Sequence, residues 1–298
     1  MAGVSFIIFS MMHFTPGCPA RISLGEAAPE EAIEQLRDEM GLNDAFLIQY
    51  GRWLGNLVIN QDVGTSIRTN RGVAEEIFDR FPATLQLAGA SVIVAIAIGV
   101  PIGIISATRQ YSIFDNVSMF IALLGVSMPN FWQGMLLIIV FAVHLRWLPS
   151  GGLPGGADNF RYLILPAITL GTGPAAVIAR MTRSSMLEVI RQDYIKTARA
   201  KGQTERIITN KHALKNALIP IITVVGLSFG ILLGGAVITE AIFTIPGVGR
   251  LMVDSISARD FPVVQGGVLF IALTFSVVNL AVDILYAFVD PRIKSQYK

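Results

Sequence analysis

FPATLQLAGASVIVAIAIGVPIGIISAT, residues 81–108, contains no Asp, Glu, Lys or Arg. Residues 116–145, 162–179, 216–239 and 261–282 are equally free of charge. A bilayer's ~30 Å hydrocarbon core is crossed by about 20 apolar residues of helix. An α-helix also satisfies its own backbone hydrogen bonds, which lipid cannot do. The whole chain is 53% hydrophobic and 15% charged, with mean hydropathy +0.60, whereas soluble domains carry roughly a quarter charged residues. Five such stretches exclude a soluble protein with an unusually apolar core and predict an all-α polytopic membrane protein.

A sixth crossing is expected at the start. Residues 1–20 carry an apolar run, Val4–Phe14, that stops at Thr15, Pro16 and Gly17. It has neither the basic flank nor the small-residue cleavage site of a signal peptide, so it reads as a shortened first transmembrane helix. The organisation that follows is an extracytoplasmic loop at 21–80 with amphipathic helices, a five-helix core at 81–290 and a tail at 291–298. Cys18 is the single cysteine, so no intrachain disulfide or thiolate metal cluster is available.

Basic residues in short loops mark the cytoplasmic side. From Arg180 to Lys215 there are nine Lys or Arg against three acidic residues. The tail adds Arg292, Lys294 and Lys298, and the turn after the second crossing carries Arg109; alternation puts both on the same side as that loop. Loop 21–80 instead holds eleven Asp or Glu against six Arg. Six crossings with both termini cytoplasmic satisfy these signs.

Within the outer loop, Pro29-Glu30-Glu31 suits a helix N-terminus and Gly41 its end. Asn43 is a candidate cap for a second helix, whose Phe46, Tyr50, Trp53, Leu54 and Leu57 form an aromatic stripe at helical spacing. That stripe is expected to lie on the membrane surface or on neighbouring helices. Glycines at 99–103, 171–173 and 230–235 permit close helix contact in lipid, or line a pore. Pro129 is expected to break the third crossing. Asn279 and Asp283 are polar groups in the last one, with Asp283 expected to pair with a cytoplasmic Arg or Lys.

Residues 193–220, DYIKTARAKGQTERIITNKHALKNALIP, lie inside the basic loop 183–215 and its exit, and are too polar to span. Good helix formers run from 188 to 201 and Gly202 is a natural stop, so a short helix, a glycine turn and a second helical stretch toward Pro220 are predicted. Such a projecting helix is a handle for a soluble motor.

This stretch resembles the EAA loop of binding-protein-dependent ABC importers, in the form found in the peptide and nickel permease group. Tyr194, Thr197, Ala198, Arg199, Ala200, Lys201, Gly202, His212, Asn216 and Pro220 stand at matching positions. The wider pattern's first Glu is missing and the gap before its proline is longer, both usual in this group. Matching segments also include GLNDAFLIQYGRWL (41–54), LLGVSMPNFW (123–132), RMTRSSMLEV (180–189), ITEAIFTIPGVGRLMVDSISARDFPVVQ (238–265) and VDILYAFVDPRI (282–293).

The resemblance implies a type I ABC importer permease fold in a bacterial or archaeal plasma membrane. It implies a second homologous permease subunit, two ABC ATPase subunits that use ATP and Mg, and an extracytoplasmic solute-binding protein, with no nucleic acid. Asp193, Tyr194, Thr197, Ala198, Arg199, Ala200, Lys201 and Gly202 would form the ATPase-coupling helix. Ala198, Ala200 and Gly202 would permit close docking, and Arg199 and Lys201 would reach acidic groups or carbonyls. The bland alternative is a basic loop on lipid headgroups.

No cofactor or metal is expected in this chain, and no catalytic residue. It has no P-loop of the G-x-x-x-x-G-K-[ST] type. A membrane hydrolase would need a nucleophile beside His13, His144 or His212, and none is evident. A stand-alone secondary transporter would need more helices and buried charges. Di- or oligopeptides are the expected solutes, with glutathione or a nickel chelate as alternatives.

Overall fold

The computed structural model describes residues 2–14, 19–25, 28–154 and 159–289. Cys18, the break at residues 15–17 and the basic tail 291–298 lie outside them. The helices in chain order are α1 (Ala2–Phe14), α2 (Pro19–Leu24), α3 (Glu30–Glu39), α4 (Phe46–Ile59), α5 (Val73–Thr108), α6 (Ile113–Ser127) and α7 (Asn130–Leu137). They continue with α8 (Asn159–Ile190), α9 (Asp193–Ala200), α10 (Glu205–Ile207), α11 (Leu214–Ile242), α12 (Val248–Ser257) and α13 (Phe261–Val289). Segments Ile138–His144 and Ile208–Ala213 are π-helical continuations of α7 and α10. Among the described residues there is no strand, only an isolated bridge between Thr65 and Gly72.

Four continuous helices are long and apolar enough to cross a membrane: Val73–Thr108, Phe160–Ile190, Glu205–Ile242 and Phe261–Leu285. The remaining charge-free stretch is a pair, Ile113–Ser127 and Asn130–His144, bent by 102°. Pro129 explains the bend. It offers no N–H and disfavours the helical region for the residue before it, and Met128 and Pro129 are both extended, with ψ 128° and 132°. The first of the six expected crossings is α1, whose 13 residues reach only about 20 Å at 1.5 Å per residue.

The helices outrun the charge-free stretches. α5 begins eight residues earlier than its apolar run, because Val73 and Ile77, one turn apart, are buried with Val248, Leu251, Met252 and Val263. Tertiary packing extends the helix where hydropathy alone ends it.

The chain forms two compact units: Met1–Thr84 with Pro246–Thr274, and Leu85–Ile245 with Phe275–Lys298. In the first, the aromatic stripe of α4 packs on α1. Phe9 stands 5.5 Å from each of the Phe46, Tyr50 and Trp53 rings, and Ser5 Oγ lies 3.0 Å from Tyr50 Oη. Asn43 does not cap α4, whose cap is Ala45. Its Nδ2 donates instead to Glu34 (3.0 Å) and Asp38 (2.6 Å), charge-assisted bonds that turn the side chain toward α3 and away from the N–H groups its Oδ1 would have to cap. Gly41 ends α3 as expected, at φ +66°. Asp260, 4% exposed, accepts from Ser66 Oγ at 2.5 Å and from the Ile67 N–H at 3.2 Å, fixing the turn before α5.

In the second unit, glycines set the contact between α5 and α8. A Cβ on Gly103 would lie 2.5 Å from Thr182 Cβ; on Gly99, 2.6 Å from the Ala175 carbonyl oxygen; on Gly171, 2.6 Å from that of Ser91. Gly173 and Gly235, from the same runs, face open space. Close packing is thus the role of the first three. Overpacking such a seam costs about 1–3 kcal/mol. Gly103→Val is expected to lower the thermal midpoint of the purified chain by several degrees, whereas Gly173→Ala leaves it unchanged or raised. Equal midpoints for both would remove the glycine seam as an explanation. Asp283 is exposed and has no cation within ion-pair distance among the described residues, so its expected partner is not found there.

Candidate functional site

The loop between α8 and α11 is an exposed short helix held from behind. Ile195 is the one fully buried residue of α9 and joins a core with Met186, Ile208, Ala213, Ala217 and Ile221. The helix stops as its sequence requires. The Gly202 N–H donates to the Arg199 carbonyl (3.0 Å) and the Gln203 N–H to that of Ala198 (3.3 Å), a Schellman pair that satisfies two orphan carbonyls. That closure needs a left-handed residue, and Gly202 has φ +75°.

The residues that carry the resemblance bond to one another. Asn216 Nδ2 donates to Tyr194 Oη at 2.9 Å and to the His212 carbonyl at 3.0 Å, tying the start of α9 to α11. His212 Nε2 lies 3.3 Å from Gln203 Oε1. Thr197 Oγ1 donates back to the Asp193 carbonyl at 3.0 Å. Lys196 Nζ donates to Asp193 Oδ1 at 2.8 Å and holds that carboxyl below its ordinary range. Pro220 sits inside α11 rather than at its end.

Two expectations change. Arg199 is not a spare cation: its Nε and Nη2 donate to the two carboxylate oxygens of Glu205 at 2.5 and 3.1 Å. The carboxylate six residues on wins because a fork-to-fork pair closes the turn locally. Ala198 is half-buried against the core rather than open for docking, since it shares the inward face with Ile195 at i, i+3. Ala200, Lys201 and Gly202 remain exposed, and among the described residues, its chain neighbours aside, no atom lies within 4 Å of the position a Gly202 Cβ would take. The exposed surface of the segment runs from Asp193, Tyr194, Lys196 and Thr197 to the turn at Ala200, Lys201 and Gly202.

A second polar element was not foreseen. Arg183 on α8 grips Asp115 on α6 through Nε–Oδ1 (2.8 Å) and Nη2–Oδ2 (2.7 Å). Asp115 Oδ2 also accepts from the Tyr111 N–H at 3.0 Å, and the Asp115 N–H donates to the Ser112 Oγ cap at 3.2 Å. The S-x-x-D spacing signals this cap in the sequence; the arginine 68 residues away has no local signal.

Residues 99–295 match the family described as binding-protein-dependent transport system inner membrane component, and residues 1–88 match its N-terminal region. The chain is 47% identical over 318 residues to a dipeptide transport system permease protein of Alkalihalophilus pseudofirmus, covering 99% of this chain and 95% of that one. It is 45% identical over 291 residues to a glutathione transport system permease protein of Escherichia coli K12, covering 98% and 94%. Among solved structures, the MetNI methionine ABC transporter in inward-facing conformations superposes with TM-score 0.61 at 22% identity, covering 72% of this chain and 96% of that chain. An amino acid ABC transporter gives TM-score 0.53 at 16% identity, covering 74% and 94%. The architecture is that of a type I ABC importer permease.

Proposed function

We propose, from the premise that this chain belongs to the family of binding-protein-dependent transport system inner membrane components, that it forms half of a translocation pathway for di- and oligopeptides. The chain is an ABC importer permease, a multi-pass inner-membrane subunit rather than a catalytic one. Its partners in this reading are a second permease, two ATPases that bind ATP and Mg, and an external solute-binding protein, with both termini of the chain cytoplasmic.

The observation that carries the mechanism is the exposed turn at Ala200, Lys201 and Gly202, braced by Ile195 and by the Tyr194–Asn216 bond. A braced handle transmits displacement; a loose one absorbs it. Residues 193–202 then couple the motor to the pathway. ATP binding draws the two coupling helices together and switches the pathway from inward-facing to outward-facing, and hydrolysis resets it. The switch works only if nucleotide has different affinity for the two states.

Peptides are favoured by the 47% identity to a dipeptide permease; glutathione is the second reading, on the 45% identity to a glutathione permease. The test is uptake of labelled dipeptide and labelled glutathione into proteoliposomes holding all four membrane and motor subunits, with each loaded binding protein in turn. ATP-dependent dipeptide uptake at least about tenfold above glutathione uptake, a gap of about 1.4 kcal/mol, is the expected result. The reverse ratio assigns glutathione, and uptake without ATPase subunits rejects the importer reading.

A further inference from the structure

The first unit contains two cavities of different chemistry. One, of about 650 Å³, is walled by apolar groups such as Leu54, Leu57, Phe78, Leu269 and Phe270. The other, of about 580 Å³, lies among α1, α3, α4 and the start of α13, and collects both arginines of the α3–α4 region, Arg37 and Arg52. Its walls add the amides of Gln49, Asn56 and Gln265 and the rings of Phe9, Trp53 and Phe261. Ligand sites occupy roughly 300–1,000 Å³ and combine apolar walls with a few directed polar groups; this cavity has that size and that composition.

The guanidinium groups are placed by the fold and retain donors. Arg52 lies over Gly41: a Cβ there would lie 1.9 Å from Arg52 Nη1, the movable end of the side chain. Arg52 spends Nη2 on Asp44 (2.7 Å), and Arg37 spends Nη1 on Glu34 (3.4 Å). Arg37 Nε is buried with no hydrogen-bond partner among the described residues. The donors Arg37 offers to the cavity are therefore those of its half-exposed Nη end. Gln49 Nε2 is held by the carbonyls of Leu42 (3.0 Å) and Asp44 (2.8 Å), which directs its amide group. Carboxylate is the anion whose two oxygens match an arginine fork, and a neighbouring aromatic wall suits an apolar side chain.

We propose that this cavity binds the carboxylate end of a short peptide carrying an apolar or aromatic side chain, with Arg37 and Arg52 holding the carboxylate and Phe9, Trp53 and Phe261 the side chain. The inference rests on the importer reading, which places residues 21–80 on the side where solute arrives. It goes beyond that reading in giving this permease its own recognition of the peptide terminus, upstream of the pathway.

Met12 and Met40 also line the cavity, so a photoreactive peptide can be captured there. The assembled transporter, in nanodiscs without binding protein, is irradiated with alanyl-benzoylphenylalanine, and the adducts are mapped by mass spectrometry. Labelling at Met12 or Met40 is expected, suppressed by alanyl-phenylalanine and at least about tenfold less by its C-terminal amide, a difference of about 1.4 kcal/mol. Arg52→Lys keeps the charge and loses the fork; it should weaken labelling while leaving assembly intact. Labelling confined to other regions, or equal competition by acid and amide, overturns the proposal. Protection only by the binding protein also overturns it and assigns the cavity to that protein's acidic side chains. With loaded binding protein added to a separate portion of the same nanodiscs, stimulated ATP hydrolysis reports on the importer reading separately: stimulation without cavity labelling sinks the peptide site alone.

Discussion

Gly202→Asp is expected to eliminate the stimulation of ATP hydrolysis by loaded binding protein in proteoliposomes containing this chain, its sister permease and both ATPases. Two effects act together. Gly202 has φ +75°, a region that costs an L-residue about 1–2 kcal/mol, though Asp and Asn bear it better than most. The second effect is larger. The turn is exposed and, its chain neighbours aside, no described atom lies within 4 Å of the new Cβ, so under the proposed coupling role the added carboxylate faces the partner. Leaving a charge unpaired in an interface costs about 2–5 kcal/mol, which at 1.4 kcal/mol per decade is at least about 30-fold in coupling. Gly202→Asn has the same shape without the charge and should lose no more than about fivefold, the residue of backbone strain and added bulk. Co-purification of the ATPases should fall with the Asp variant. If Gly202→Asp hydrolyses ATP and responds to binding protein as the wild type does, residues 193–202 are not the motor contact.

The parts of the fold that were legible in the sequence are those governed by local rules. Absence of charge over 81–108, 162–179, 216–239 and 261–282 placed four helices, because lipid admits no other use of such stretches. Pro129 located the bend and Gly202 the stop, since each acts on its own backbone. Helix ends were misjudged where packing decides them: α5 reaches back to Val73 because Val248 and Val263 are there to receive it. Polar side chains were the least legible. Asn43 looked like a cap and Arg199 like a spare cation because residue type sets which donors and acceptors a side chain offers, while the choice of partner depends on what the fold brings near. Of the residues that carry the resemblance, Tyr194 and Asn216 are hydrogen-bonded across 22 positions. The Arg183–Asp115 pair had half a signal, the cap at Ser112, and no sign of its other member.

That pair supports the second large effect, and burial fixes its asymmetry. Asp115 is 2% exposed and Arg183 27%. Arg183→Met leaves a buried carboxylate that keeps the Tyr111 N–H as a donor but loses its cation, and breaking a buried pair in this way costs about 3–5 kcal/mol. For a unit of this size that corresponds to a fall of about 10 °C in thermal midpoint, read by fluorescence-detected size exclusion of the assembled transporter. Asp115→Asn strands the partner that can still reach solvent, and should cost about 1–3 kcal/mol. The double variant Asp115→Leu/Arg183→Met removes both charges and should recover most of the single-variant loss, because apolar replacement of a whole buried pair is often close to neutral. If Arg183→Met and Asp115→Asn fall by equal amounts and the double variant falls by their sum, the two residues act independently, and the α6–α8 contact is held by its apolar packing instead.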